Sequence, residues 1–312
     1  MSRRAVVTGG AGFIGSHLVD ALVADGWAVT VIDDLSRGDA SRLPQGVELV
    51  PVAAGSPEVE EVLARQPVDA LFHLAAQVDA AWSVDHPVDD ARVNVLESLE
   101  LLERCRRQRV GKVVFASSAA VYGEPSTVPL DEDAPKRPQS PYGIAKLAVE
   151  GYLAFYREVH RLPSVALRFA NVYGPRQDAT GEAGVVAVFA HRLLAGAAAT
   201  IHGDGRQTRD FVFVGDVVDA ALAAARSPAI GELNIGTAVE SDVVTVFERL
   251  AAALAPGARP AHGPARPGEP RRSALSAQRA AEALGWRARV DLATGIGRTA
   301  DWFQHPLQGS SR

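Results

Sequence analysis

The chain of 312 residues has one cysteine, Cys105, so it can form no internal disulfide and no cysteine-based metal site. No apolar run approaches ~18 residues, and no membrane-spanning helix is expected. An excess of positive charge is also missing. The net charge is −5 at pH 7 and the pI is about 5.9, which makes nucleic acid and anionic membrane surfaces poor partners. Ser2-Arg3-Arg4 leads straight into an apolar stretch, leaving no room for a signal peptide. The expected location is therefore cytoplasmic. There is no internal repeat and no low-complexity linker. What the chain does have is apolar substance, at 47% of residues. That is enough for a sizeable core in one large domain or two smaller ones.

The stretch Val6-Val7-Thr8-Gly9-Gly10-Ala11-Gly12-Phe13-Ile14-Gly15 organises the rest. Ala5 to Val7 reads as a buried strand and the glycines as a tight turn. Phe13 to Ala24 reads as a helix, with Ile14, Leu18, Ala21 and Leu22 on one face. A strand, a glycine turn and a helix suit a dinucleotide pyrophosphate: the backbone approaches closely and free N–H groups at the helix start point at the anion. Gly9, Gly12 and Gly15 are spaced G-x-x-G-x-x-G, which differs from G-x-G-x-x-G in the middle. The next strand, Ala28 to Ile32, ends in Asp33-Asp34, 18 residues after Gly15. An acid there can bind ribose hydroxyls and would repel a 2′-phosphate, so the expected cofactor is NAD and not NADP.

Strands and helices then alternate. Strands are expected at 49–52, 70–74, 113–116 and 164–168, and helices at 58–65, 88–107 and from about 142 to 160. Apolar strands in repeated β-α units indicate a parallel sheet covered on both faces, with ligands at the strands' C-terminal ends. The second half is less regular. Helices are expected at 185–194, 216–225, 245–254 and 276–284, with a short strand at 233–235 that returns to the sheet. Ala255 to Pro270 holds five prolines and three glycines. It is either a flexible loop or a semi-rigid one that brings Arg266, Arg271 and Arg272 to a ligand.

Tyr142 and Lys146 stand at i and i+4, on one face of a helix that begins right after Pro141. A free tyrosine titrates near ~10. A neighbouring ammonium, and the positive nicotinamide of bound NAD, would favour the phenolate. Ser118 lies at the end of an apolar strand, placed to hold a substrate hydroxyl or join a proton relay, or else to cap a turn.

With these residues in view the chain resembles the extended short-chain dehydrogenases/reductases, and within them the UDP-glucose 4-epimerase family. The resemblance rests on 8–17, 72–76, 115–123, 140–146, 168–176 and Arg209-Asp210-Phe211. It implies an α/β fold: a doubly wound parallel Rossmann sheet with a smaller, partly interleaved C-terminal α+β substrate domain. The NAD-binding domain would span 1–170, with 211–238 returning to it, and the UDP-sugar domain 171–210 and 239–312. It implies roles as well. Gly9, Gly12, Phe13, Ile14 and Gly15 match the pyrophosphate turn, and Asp33, Asp34, Ser36 and Gly38 the adenosine-ribose loop. Leu74, Ala75, Ala76 and Asn94 match positions around the cofactor. Ser118, Tyr142 and Lys146 match the catalytic triad, Asn171 a contact to the sugar or diphosphate, and Arg209 and Arg266 the diphosphate clamp. The family's helices at 88–107 and 142–160 pair across a homodimer as a four-helix bundle. Metal has no part in this.

The departures bear on substrate and reaction. Ala53 aligns with an aspartate that reads adenine in the family. Ser273 aligns with a bulky tyrosine of hexose-restricted members, which leaves room for a larger sugar substituent. Thr180 and Arg192 lie in the segment that lines the sugar site in relatives and are the candidates to meet a C6 carboxylate. Asp79 and Trp82 carry no assigned role. Related dehydratases have an acid pair where this chain has Ala119 and Ala120, and a methyl group transfers no proton, which disfavours dehydration. UDP-glucuronate decarboxylases have a glutamate at the second of these positions. The expected activity is NAD-dependent 4-epimerisation of a UDP-sugar: hexose, hexuronate or, as an alternative, N-acetylhexosamine. The other alternative is a nucleotide-sugar dehydrogenase or reductase that releases its cofactor.

Overall fold

The computed structural model describes residues 2–178, 184–265 and 270–305. Its first half runs β1 (Arg4–Thr8), α1 (Phe13–Ala24), β2 (Ala28–Ile32), β3 (Glu48–Val50), α2 (Glu58–Ala64) and β4 (Ala70–His73). Two short helices follow, α3 (Ala80–Asp85) and α4 (Pro87–Ala91), then a π-turn (Arg92–Leu96) that continues into α5 (Glu97–Arg107). The expected helix over 88–107 is thus present but interrupted. β5 (Val113–Ser118), α6 (Pro141–His160) and β6 (Ser164–Phe169) complete this part.

The second half comprises β7 (Asn171–Tyr173), α7 (Val185–Leu194), β8 (Thr200–His202), β9 (Thr208–Phe213), α8 (Val214–Arg226), β10 (Gly231–Ile235), β11 (Glu240–Asp242), α9 (Val243–Leu254), β12 (Ala261–Gly263), α10 (Gln278–Leu284) and α11 (Leu292–Gln304). β9 and α11 have no counterpart in the sequence reading.

Seven strands form one sheet in the order β10-β6-β5-β4-β1-β2-β3, every pair parallel. β1, β4 and β6 are buried along their whole length, because helices cover both faces. On one face lie Leu18, Val19 and Leu22 of α1, with Val217 and Ala221 of α8. On the other lie Val62 of α2, Leu101 and Cys105 of α5, and Val149 and Leu153 of α6. The chain reverses direction across the sheet between β1 and β4. Such a switch point opens a crevice at the C-terminal strand ends.

The smaller C-terminal part is α+β. A mixed sheet, β11-β9-β7, packs with α7, α9 and α11 around Tyr173, Phe189, Phe211, Phe213 and Phe247, while β12 pairs with β8. β7 starts two residues after β6 ends. The mixed sheet is therefore held directly beside the C-terminal end of β6.

Candidate active site

The turn after β1 is crowded backbone. Gly9 has φ +69°, and a Cβ on it would lie 2.6 Å from the Ala75 nitrogen. A Cβ on Gly15 would collide with the Gly9 carbonyl oxygen. Gly12 caps α1 without any side-chain hydrogen bond, and the first turn of α1 carries no acid. The helix start is left with its N–H groups and its positive dipole end uncompensated.

Asp33 does more here than its position at the end of β2 suggested. It is buried, its Oδ2 accepts from Ala11 N at 2.9 Å, and its Oδ1 accepts from Leu35 N at 2.9 Å. It therefore braces the glycine turn against the next loop. Gly38 packs close, where a Cβ would sit 2.5 Å from Asp33 Oδ1. Asp34 is exposed and its Oδ1 accepts from Ser36 N and Oγ at 2.9 and 2.6 Å.

Across the crevice, the loop after β4 is fixed at both ends. Ala75 N donates to Thr8 Oγ1 at 3.3 Å. The Asn94 side chain, in the π-turn, accepts from Gln77 N at 3.0 Å and donates to Gln77 O and to Asp90 Oδ1, both at 2.9 Å. Behind this loop His73 bridges Thr8 Oγ1 and Ser98 Oγ at 2.8 Å each. Burial lowers its pKa to about 3, so the ring is neutral.

Ser118 ends β5 and Tyr142 sits in the first turn of α6. Ser140 caps that helix, its Oγ accepting from Gly143 N at 3.2 Å. A Cβ on Gly143 would lie 2.7 Å from Ala120 O, so α6 presses its start against the segment after β5. This sets the Tyr142 phenol beside Ser118. Ser118 Oγ also accepts from Ala120 N at 3.1 Å. Lys146, one turn on, donates from Nζ to Ala116 O at 2.9 Å and lies 5.7 Å from the Tyr142 ring centroid. Burial raises the Tyr142 phenol, and Ser118 opposes that rise. Burial lowers Lys146 to about 8, against attraction from Asp90 and Glu150.

The C-terminal part meets the strand ends through β7, which follows directly on β6. Asn171 is exposed at the start of β7, which pairs with β9. Arg209, in β9, is largely buried and donates from Nη1 to Thr208 O at 2.8 Å. Beside it, Asp210 accepts from Thr237 N and Oγ1, Ala238 N and Leu275 N, joining β9, the loop after β10 and the segment next to half-buried Ser273. Arg192 is exposed on α7, on the side away from the buried row of Val186, Phe189 and Leu193. Thr180 and Arg266 lie outside the described residues.

A family model for the NAD dependent epimerase/dehydratase family matches residues 5–236. The chain belongs to that family. The UDP-glucose 4-epimerase of Mycolicibacterium smegmatis is 45% identical over 312 residues, covering 98% of this chain and all of that protein. Among solved structures, the Thermotoga maritima UDP-glucose 4-epimerase with UDP-glucose superposes with a TM-score of 0.95 at 41% identity, over 98% of this chain and 100% of that one. The Thermus thermophilus UDP-glucose 4-epimerase with NAD gives 0.91 at 43% identity, over 97% and 99%.

The family's cofactor fits the residues present. Gly9 and Gly15 form a cradle that any Cβ would fill, and α1 offers an uncapped N-terminus free of acids. Asp34 leaves an exposed carboxylate at the end of β2, where a ribose hydroxyl needs an acceptor and a 2′-phosphate would be repelled. Gln77, Asp90 and Asp210 escaped the sequence reading. Asp210 stands inside the Arg-Asp-Phe stretch and Asp90 lies four residues before Asn94, but nothing in the sequence shows that either is buried.

Proposed function

We propose that this chain is an NAD-dependent UDP-sugar 4-epimerase. The observation that carries the reading is Lys146 held one turn along α6 from Tyr142, 5.7 Å from its ring centroid and fixed by Ala116 O, with Ser118 at the end of β5 beside a stretch that has methyl groups at 119 and 120 where dehydratases carry acids. One base and no second acid supports oxidation and re-reduction at a single carbon. Tyr142 takes the proton of the sugar 4-hydroxyl and later returns it. Ser118 holds the same oxygen. Lys146 keeps positive charge beside the phenolate and has two further N–H groups for ribose hydroxyls. Bound NAD supplies the hydride acceptor, which can give the hydride back to either face of the ketone. Arg209, with Arg266, anchors the diphosphate by paired hydrogen bonds. Asn171 and the small Ser273 leave the sugar free to turn while its nucleotide stays in place.

NMR of the purified protein with each UDP-sugar and no added NAD tests the reading. Interconversion of C4 epimers is the expected result. A 4-keto product, or turnover only with added NAD, would favour a dehydrogenase. Glucose/galactose is the first pair to try, and Ser273 supports including the hexuronates and N-acetylhexosamines.

The reading extends to assembly. Ile144, Tyr152, Phe155 and Val159 form an exposed apolar row along α6, and Val88 and Leu96 add to it from α4 and the π-turn. Such a row on two adjacent helices suits pairing with its own copy in a four-helix bundle.

A further inference from the structure

Asp90 lies in α4 with 0% of its surface exposed. Its Oδ1 accepts from Asn94 Nδ2 at 2.9 Å and Gln77 Nε2 at 3.2 Å. Its Oδ2 is buried and has no hydrogen-bond partner. A buried carboxylate oxygen in that condition is costly unless a cation offsets it. The carboxylate is also unable to swing away. Gln77 is itself fixed by Asp79, its Nε2 donating to Asp79 O at 2.9 Å and its Oε1 accepting from Asp79 N.

α4 packs against α6. Burial raises the Asp90 carboxyl, against the Asn94 hydrogen bond and then the attraction of Lys146 on α6, which is 3% exposed, with its Nζ 4.8 Å from the Phe115 ring centroid and one hydrogen bond to Ala116 O. Lys146 is faced from β4, from its own helix and from α4. β4 contributes His73, which is neutral. α6 itself contributes Tyr142 and Glu150. Glu150 is already committed: it takes two hydrogen bonds from Arg168, at 2.9 and 2.7 Å, and one from Ser117 at 2.6 Å. That leaves Asp90, whose Oδ2 accepts no hydrogen bond, as the acid of the group without an arginine partner. Its own neighbours are Lys146, the Tyr142 phenol and the amides of Gln77 and Asn94.

We propose that Asp90 is a positioning residue for the reaction: a carboxylate locked by Gln77 and Asn94 that serves as the counter-charge of Lys146 and keeps it an ammonium while Tyr142 exchanges its proton. The proposal rests on the epimerase reading for its kinetic consequence, and on the structure alone for its titration.

The chain has three lysines, Lys112, Lys136 and Lys146, so NMR of isotope-labelled lysine resolves each side chain. Loss of one signal in Lys146→Met assigns the third. Asp90→Asn keeps the shape and removes the charge. The Lys146 midpoint is expected to fall by about one pH unit or more, the effect of losing an opposite charge nearby. The alkaline limb of kcat should move down with it. A purely structural Asp90 would lower kcat or stability and leave the Lys146 midpoint in place; that result overturns the proposal. Should Asp90→Asn not fold, the reciprocal measurement decides. By linkage the Asp90 carboxyl must titrate higher in Lys146→Met, and an unmoved carboxyl overturns the proposal too. The titration is read without substrate, whereas failure of the epimerase reading appears in the turnover of the parent protein.

Discussion

As the base of the proposed reaction, Tyr142 would have to lose its proton near neutral pH, and its surroundings resist this. Burial raises the phenol, Asp90 adds to the rise, and Ser118 alone pulls it down. Help beyond Ser118 would come from the Lys146 ammonium one turn along and from the positive nicotinamide of bound NAD. Tyr142→Phe keeps the ring and should cost a factor of at least ~100 in epimerase activity with folding intact, the scale of a lost general base. Activity within a few-fold of the parent would remove Tyr142 from that role. His73 makes a second case. Its pKa falls from an ordinary 6.5 to about 3 on folding, so the unfolded chain binds the proton between those values. Its contribution to stability is complete above 6.5 and is lost as pH falls toward 3, with a slope of up to ~1.4 kcal/mol per pH unit. Denaturant midpoints of His73→Asn against pH should be flatter across that window. At this scale the sequence displayed the glycines, the serine and the tyrosine–lysine pair, whose chemistry is carried by residue type and spacing. It did not display Asp33 as a brace or Asp210 as a junction. Those roles depend on partners brought together by folding, such as Leu275, 65 positions from Asp210.

At the scale of elements, the legible parts were the long ones. The strands of a sheet covered on both faces are apolar throughout, and most helices of ten or more residues show their period, the 13-residue α11 being the exception. β7, β8, β11 and β12 have three residues each, too few to show any period, and exist because neighbouring backbone pairs with them. The π-turn left no mark in the pattern either; it shifts Asn94 toward Gln77 and Asp90, and the Asn94 carbonyl accepts from Ser98 Oγ at 2.7 Å. α6 is held to β5 and β6 by a buried polar staple. Arg168 grips Glu150 through two nitrogens, Ser117 donates to the same carboxylate, and Tyr122 and Asn234 extend the network to β10. Glu150→Leu leaves the Arg168 guanidinium buried and unpaired and should cost ~3–5 kcal/mol by chemical denaturation. Glu150→Leu combined with Arg168→Met should cost less than that single change. A single variant as stable as the parent would mean the staple is not under strain when halved.

Among the described residues, a row of exposed apolar side chains runs along α6 and the π-turn. Light scattering on the parent should give the mass of two chains, and Phe155→Glu combined with Ile144→Asp should give one. A parent that runs as a single chain at micromolar concentration would leave the row unexplained. The doubly wound sheet itself was readable because strand and helix alternate so regularly in the first half, whereas the partition of the second half depends on which sheet each short strand joins.

The path of the chain through its two sheets also bears on how the molecule can be taken apart. It leaves the large sheet after Phe169, builds β7 and β9 in the small one, re-enters the large sheet as β10 and leaves again for β11. No single cut separates the two. A fragment ending at residue 170 would lack β10 and bare the outer edge of β6, a strand buried along its full length in the intact protein. Such an edge invites pairing with other chains, so the fragment should aggregate instead of standing as a cofactor-binding module. Transplanting the smaller half from a relative therefore calls for two segments, joined on either side of β10, and a one-crossover chimera is to be avoided.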